Sequence, residues 1–492
     1  MRPIALTPAH PTWNLRLPID RLDRWAAEAL TFALVFAAVL FLPQILNDGD
    51  TLWQIRTGEW ILGHGTIPVT DPFSFTAGDR PWFAHEWLAE TLMALAYAAG
   101  GMAGVMGLAA ASSALTAALV LRHLRQFLPG LYAVLGLVVA LANAAPSLLA
   151  RPHVLAWPCL AIWCAGLAIA RSRRTAPSFW LLPAMVLWVN LHGSFMLGLL
   201  LPVAFGVEAL FDPGADRRQV TRDWGGFALA AWGAALLNPE FLGGLLFPFQ
   251  MLGMKSLAWI GEWRPTDFSR PQPLELMILA GLALGLSGRV TLPPMRLLML
   301  LGLIHGALSH VRNEQLLGLV GALVLAEPLG RSLGRGMARP LTAIRPWMAG
   351  ALACTILVLG FRCAIPLPPE RTGAAFAAVL ARVPDSLRSQ PVLNDYAFGG
   401  ALIFQGVRPF IDSRADLYGD AFLSRYRAAT APDLEAFRRL AQEYGIAWSI
   451  FAEDHPIVPI LNREPGWRLL TIADGVAVHV FEAHIRDGAA AP

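Results

Sequence analysis

WAAEALTFALVFAAVLFLPQIL followed by NDGD, residues 25–50, decides how this chain is read. Trp25 to Leu46 is an apolar run of spanning length, since about 20 residues suffice to cross a bilayer. It empties into Asn47-Asp48-Gly49-Asp50, and then into Trp53, Arg56, Glu59, His64, Asp71, His85 and Glu86. A carboxylate taken out of water is costly unless it is paired or bound to a cation, so acidic residues at a membrane boundary mark a candidate site.

Outward from that stretch, the composition fixes the class. The 492-residue chain is 55% hydrophobic and only 15% charged, with a mean hydropathy of +0.51. Apolar segments recur near 26–46, 88–121, 130–148, 153–170, 179–191, 194–211, 224–238, 274–287, 293–311, 314–328 and 346–364. They predict a mainly α, polytopic bundle of about eleven spans. Residues 1–23 lack the apolar core and cleavage site of a secretory signal, which makes the first span a retained anchor. Arg16, Arg21 and Arg24 precede that span, and basic residues return in alternate loops at Arg122 and Arg125, Arg171 to Arg174, Arg217 to Arg222, Arg289 and Arg296, and Arg331, Arg335 and Arg339. The positive-inside rule puts these loops in the cytoplasm and the C-terminal region outside.

The opposite loops carry the remaining polar groups: the first loop at 47–87, Arg151 and His153, Asn190 and His192, Asn238 and Glu240, Glu262 to Asp267, and His310 to Glu314. Single residues there can be ordinary helix caps. Together they predict one outward-facing site built from helix ends around the first loop. Within that loop, Trp53 to Leu62 predicts an interfacial amphipathic helix stopped by Gly65 and Pro68, and Asp71-Pro72-Phe73-Ser74 reads as a turn. The Asp48-Gly49-Asp50 spacing lets two carboxylates approach one cation.

After about residue 366 the pattern changes to short alternating segments. Strands are expected at 392–394, 409–411, 447–451, 467–472 and 476–481, with helices at 397–404, 421–429, 433–444 and 457–461. The chain thus divides into a membrane module, 1–365, and a small α/β domain, 366–492, on the outer side. Asn394-Asp395-Tyr396 and Asp412-Ser413-Arg414-Ala415-Asp416 follow strand ends, where ligands are often held. Asp412, Arg414 and Asp416 equally suit a salt-bridge network that packs the domain onto the membrane face. Cys159, Cys164, Cys354 and Cys363 lie in or beside spans and form no disulfide or zinc pattern. Phosphate-loop, nucleophile-elbow and zinc-protease motifs do not occur, nor does a concentrated basic nucleic-acid footprint.

A first span, an acidic first outer loop, many further spans and a C-terminal outer domain resemble the GT-C superfamily of membrane glycosyltransferases, which includes protein mannosyltransferases, aminoarabinose transferases and oligosaccharyltransferase catalytic subunits. Asp48 to Leu88, Arg151-Pro152-His153, Trp188 to Gly193 and Phe410 to Gly419 are similar to a largely uncharacterised bacterial group within it. The resemblance implies an inverting transfer from a polyprenyl-phosphate-linked sugar to an acceptor hydroxyl on the outer face of the bacterial inner membrane. The acceptor would be a protein, a glycolipid or a polysaccharide. Asp48 or Asp50 maps to the family's base or metal ligand, with Glu86 as a further catalytic carboxylate and Asp71 as its partner or alternative. Arg151, His153, Arg264, His310 and Arg312 would steady the lipid phosphate, and His85, His192, Asp412 and Arg414 would complete the substrate contacts. A divalent cation, magnesium or manganese, on Asp48 and Asp50 is admitted, since some members use one and others do not. The Trp-Trp-Asp motif of oligosaccharide transfer to asparagine is missing. Two other classes compete: a lipid-linked glycan flippase, which needs a polar path where midspan polar residues are few, His305 being the clearest, and a noncatalytic assembly subunit, which would tolerate loss of Asp48 and Asp50.

Overall fold

A computed structural model describes residues 19–333, 345–365, 367 and 374–482. Arg16, Arg335 and Arg339 lie outside the described residues. Within them the chain is mainly helical up to residue 364: α1 (Ile19–Leu40), α2 (Asp50–His64), α3 (Trp87–Phe127), α4 (Gly130–Ala144), α5 (Pro152–Ser172), α6 (Leu182–Leu191), α7 (Phe195–Leu210), α8 (Arg217–Ala235), α9 (Leu242–Leu252), α10 (Pro273–Leu286), α11 (Pro294–Ser309), α12 (Glu314–Leu333) and α13 (Arg345–Ala364). By length and apolarity, three stretches among the described residues qualify as spans on their own, Trp87–Phe127, Gly130–Ser147 and Pro152–Ser172, while most of the other apolar helices are shorter. The chain is a membrane protein.

Local chemistry sets where these helices break. Pro43 has no N–H to continue α1, and a short 3-10 turn, Pro43–Leu46, delivers the chain to Asn47. The expected single span at 88–121 is broken: α3 would run about 60 Å if straight, but Gly100 and Gly101 leave helical geometry, Gly101 at φ 58°. α5 opens with Pro152 in its first turn, so Arg151 before it is extended, at φ −127° and ψ 160°. His192 is likewise extended where α6 stops.

One end of the bundle is tied together by these breaks. The Ala150 amide donates to Ile45 O at 2.8 Å, Trp87 Nε1 to Asn190 Oδ1 at 2.8 Å, and Asn190 Nδ2 to Leu237 O at 2.9 Å. The termini of α1, α3, α5, α6 and α8 therefore meet there. At the opposite end Arg125 pairs with Glu28 at 3.0 Å, Arg171 with Glu208 at 3.0 Å and Asp212 at 2.6 Å, and the buried Arg296 with Glu208 at 2.5 Å.

The C-terminal part holds a four-stranded sheet in the order β1-β2-β4-β3, from β1 (Val392–Asn394), β2 (Trp448–Ala452), β3 (Trp467–Ala473) and β4 (Val476–Phe481). β1 and β2 run parallel and the other pairs antiparallel. The β3–β4 hairpin turns on Asp474 and Gly475, at φ 51° and 73°, the two left-handed residues a tight hairpin requires. The strand expected at 409–411 does not form. Asn394 Oδ1 accepts from the Phe410 amide at 2.8 Å and its Nδ2 donates to Ile411 O at 2.8 Å, so a side chain satisfies the backbone that a neighbouring strand would have paired.

α2 differs from an interfacial helix. Trp53, Ile55, Gly58 and Ile61 are buried, and the loop behind α2 is joined to the C-terminal part through Phe75 N to Pro409 O at 3.3 Å, Arg408 Nη2 to Ser74 O at 3.0 Å and Arg80 Nη1 to Tyr418 O at 2.9 Å. Trp53, Trp82 and Ala84 share one apolar core with Leu393, Phe410, Phe422 and Phe451.

Candidate active site

Asp48 and Asp50 sit where α1 hands over to α2, and the extended backbone at Arg151 brings its guanidinium onto both. Arg151 Nε donates to Asp48 Oδ2, its Nη2 to Asp48 Oδ1 at 2.5 Å and its Nη1 to Glu262 Oε2 at 2.8 Å, and Nη2 also forms an ion pair with Asp50 Oδ2 at 2.7 Å. Glu262 lies on the 3-10 turn Gly261–Trp263 between α9 and α10. Its other oxygen accepts from Arg312 Nη1 at 3.2 Å, and Arg312 stacks 4.3 Å over Trp263. Ser413 of the C-terminal part donates to Asp50 Oδ1. Three separate stretches of chain therefore meet at Asp50, and Glu262 and Arg312 join them through Arg151.

The electrostatics separate the members. Burial lifts the Asp50 carboxyl to about 6 against the opposing pull of Arg151, a range suited to a general base near neutral pH. Burial also acts to raise Glu262, but Arg312 and Arg151 outweigh it and hold the carboxyl below its usual range. Arg151 is held above the ordinary arginine value, its burial more than offset by Asp50 and Asp48.

Glu86, just before α3, forms a second cluster. Burial pushes its carboxyl up to about 8, so it is protonated at neutral pH. Gln54 Nε2 donates to it at 3.4 Å, and Nε2 of His85 and His192 lie 3.7 and 3.6 Å from Oε1. The Ser194 amide donates to His192 Nδ1 at 3.1 Å, which leaves the ring proton on the Nε2 that faces Glu86. Burial holds His85 down to about 4 and His192 well below its usual value, so both are neutral. His85 stacks 4.1 Å from Phe247 beside a small cavity lined by Phe83, Val189, Phe195 and Asn238. His153 lies 5.8 Å from the His192 ring and bonds Ser147 O at 2.7 Å.

The remaining expected residues lie elsewhere. Asp71 accepts from the Phe73 and Ser74 amides at 3.0 and 2.9 Å, forming the expected turn, and from Arg414 Nη1 at 2.7 Å. Arg414 also binds Asp412 with Nε at 2.8 Å and Nη2 at 2.6 Å, under the Trp82 ring at 4.6 Å. This buried ion cluster joins the first loop to the C-terminal part. His310 bonds Trp263 O at 2.7 Å, which supports the Glu262 turn. Arg264 is exposed and its side chain, among the described residues, donates only to Trp259 O, at 3.5 Å. The sequence reading named Glu262 and Ser413 only within the stretches 262–267 and 412–416 and gave neither a role of its own, although Glu262 is the carboxylate between Trp259 and Trp263 in a loop facing cations.

The carboxylates do not suit a divalent metal in this arrangement. Each oxygen of Asp48, Asp50 and Glu262 already faces a guanidinium or hydroxyl partner. Among the described residues no group of three or more His, Cys, Asp or Glu side chains is placed to hold a metal ion.

No protein-family model matches the chain, and no curated protein matches it by sequence. Solved structures match its fold. The apo oligosaccharyltransferase of Archaeoglobus fulgidus is 12% identical with a TM-score of 0.51, over 90% of this chain and 70% of that one. AglB, an archaeal oligosaccharyltransferase from the same organism in complex with an inhibitory peptide and a dolichol-phosphate, is 12% identical with a TM-score of 0.49, over 87% and 69%. ArnT from Cupriavidus metallidurans, bound to undecaprenyl phosphate, is 13% identical with a TM-score of 0.48, over 91% and 97%. The likeness to the apo oligosaccharyltransferase is one of fold: this chain shares the overall fold of that structure.

Proposed function

We propose that this chain is an integral membrane glycosyltransferase that moves a sugar from a polyprenyl-phosphate carrier to an acceptor hydroxyl, with inversion. The observation that carries this reading is the pairing of a half-buried carboxylate, Asp50, with the guanidinium of Arg151, which Glu262 links to a second guanidinium, Arg312, at one end of a GT-C-type bundle. Asp50 takes the proton of the acceptor hydroxyl. As the new C1–O bond forms, the bond from C1 to the carrier phosphate breaks, and the polyprenyl phosphate leaves with the bonding pair. Arg151 and Arg312 receive the charge that grows on that phosphate, for which the planar fork of arginine is suited. Glu262, bridging them in the free protein, is the anion that the phosphate displaces. Asp48 orients Arg151 by its two-point contact. Glu86, neutral among neutral imidazoles, serves as a hydrogen-bond donor toward the substrate, with His85, His192 and His153 lining the same side. Asp71, Asp412 and Arg414 act by holding the C-terminal part in place, and no step here runs through a metal.

Around this centre we place about eleven spans, a membrane module at 1–365 and an α/β domain at 366–492, with the site and the α/β domain on the outer face of a bacterial inner membrane. Nucleotide sugars are cytoplasmic, so an outer site implies a lipid-linked donor, with a protein, glycolipid or polysaccharide as acceptor. The test is transfer of radiolabelled sugar from a panel of polyprenyl-phosphate sugars into membrane acceptors by wild type, Asp48→Asn and Asp50→Asn at matched expression. Collapse with Asp50→Asn in folded protein is expected. Undiminished transfer by both variants would remove this site from the reaction.

A further inference from the structure

The tripeptide Asp412-Ser413-Arg414 divides its labour. Its two charged members are buried and pair with each other and with Asp71, so they dock the first loop without help from the serine. Tyr396 Oη also fixes the main chain, donating to Ser413 O at 3.1 Å. The serine hydroxyl does not cap the following helix, Ala415–Thr430, whose N-cap position is Arg414. It points instead at α2. Trp53 Nε1 donates to Ser413 Oγ at 3.0 Å, and an indole nitrogen can only donate. The hydroxyl proton therefore goes to the other partner, Asp50 Oδ1.

We propose that Ser413 is a positioning residue for Asp50: the C-terminal part reaches into the membrane module and fixes the orientation of the base with a hydroxyl whose own direction is set by Trp53. With Oδ2 held by Arg151 and Oδ1 by Ser413, the carboxylate plane is fixed at both oxygens. Trp53 Nε1 also reaches Oδ1, at 3.4 Å, so the same indole steadies both the serine and the carboxylate it serves. The centre is thus complete only when the C-terminal part is docked. The inference rests on the reading of Asp50 as the base.

The experiment uses full-length protein in liposomes, with undecaprenyl-phosphate-linked radiolabelled hexoses and pentoses as donors and native membrane extract as acceptor. Ser413→Ala, Ser413→Thr and Asp50→Asn are compared with wild type. Loss of one hydrogen bond to a charged group predicts about a 10- to 100-fold fall in kcat for Ser413→Ala, with the KM for donor unchanged and most of the loss recovered by Ser413→Thr. Should Ser413→Ala not accumulate, Ser413→Cys keeps the volume and donates weakly, and gives the same comparison. Wild-type turnover by Ser413→Ala beside an inert Asp50→Asn would overturn the role of Ser413 and leave the transferase reading standing. A threonine variant as slow as alanine would overturn it too, by showing that the donor is not what matters. Full activity of Asp50→Asn, or a wild type inert with every donor, would remove the reading beneath it and the inference with it.

Discussion

Asp48 and Asp50 are two residues apart and share one guanidinium, yet their surroundings give them different work. Asp48 meets Arg151 with both oxygens, whereas Asp50 is lifted to about 6 by burial and keeps a second donor in Ser413. Asp50→Asn should lower kcat roughly 100- to 10,000-fold, the usual range for a lost general base, with polyprenyl phosphate still bound. Asp48→Asn should chiefly raise the donor KM, because Arg151 loses its orientation. Steady-state kinetics on the two variants separates the roles, and equal effects on kcat would contradict them. Because Arg151 sits among the three carboxylates, removing divalent ions with EDTA should leave wild-type transfer unchanged; a chelator-sensitive, manganese-restored rate would refute that expectation. Glu86 gives a pH prediction. Its folded value, about 8, lies above the ordinary 4.5, so its contribution is fully present below about pH 4.5 and is lost as the pH rises through about 8. Thermal unfolding of Glu86→Gln should therefore depend less on pH across that window than wild type. The acidic pair was legible from its place behind an apolar run. Ser413 was not, because the carboxylate it serves lies 363 positions away along the chain.

Helix α2 works as a spacer between two surfaces that approach it at backbone distance. A Cβ on Gly58 would lie 2.0 Å from Glu90 O of α3, and one on Gly400, in the C-terminal helix Gly399–Phe404, 2.1 Å from Gly49 O. Both contacts are to backbone, which cannot rotate aside. Gly400→Val should destabilise by about 1–3 kcal/mol, as overpacking does, and should move the C-terminal part away from Asp50. Thermal unfolding in detergent together with transfer assays would show both effects; a variant of wild-type stability and activity would mean that this approach is looser than described. Arg414→Ala should cost more, about 3–5 kcal/mol, because it strands two buried carboxylates, Asp71 and Asp412. At this scale the sequence was half readable. The periodicity of apolar residues placed nearly every helix and four of the strands, since burial acts on local pattern. It failed at 409–411, where Pro409, Phe410 and Ile411 make a short apolar run but Asn394 takes the backbone bonds. It also took Trp53 for a membrane anchor, since nothing local reveals that the C-terminal part covers it.

The whole molecule is polarised along the bundle. At one end the helix termini carry the carboxylates and guanidinium groups of the candidate site; at the other, Arg171, Arg296, Glu208 and Asp212 clasp α5, α7 and α11 together. Alternation of arginine-rich loops showed in the sequence which loops share a side, but hydropathy cannot say which helix ends touch, so the convergence of Asp50, Arg151, Glu262 and Arg312 required the fold. The donor class hangs on this polarity: if the carboxylate end faces the periplasm, only a lipid-linked sugar reaches it, and if it faces the cytoplasm a nucleotide sugar does. The orientation can be measured on the intact chain. With the four native cysteines replaced by alanine, a single cysteine at the exposed Ser269, in the loop that follows Glu262, should react with a membrane-impermeant maleimide in whole spheroplasts. One at the exposed Gln219, beside Arg217 and Arg218 at the start of α8, should react only after permeabilisation. The reverse pattern would turn the bundle over, place Asp50 among cytoplasmic donors, and replace the polyprenyl-phosphate reading with one based on activated nucleotides.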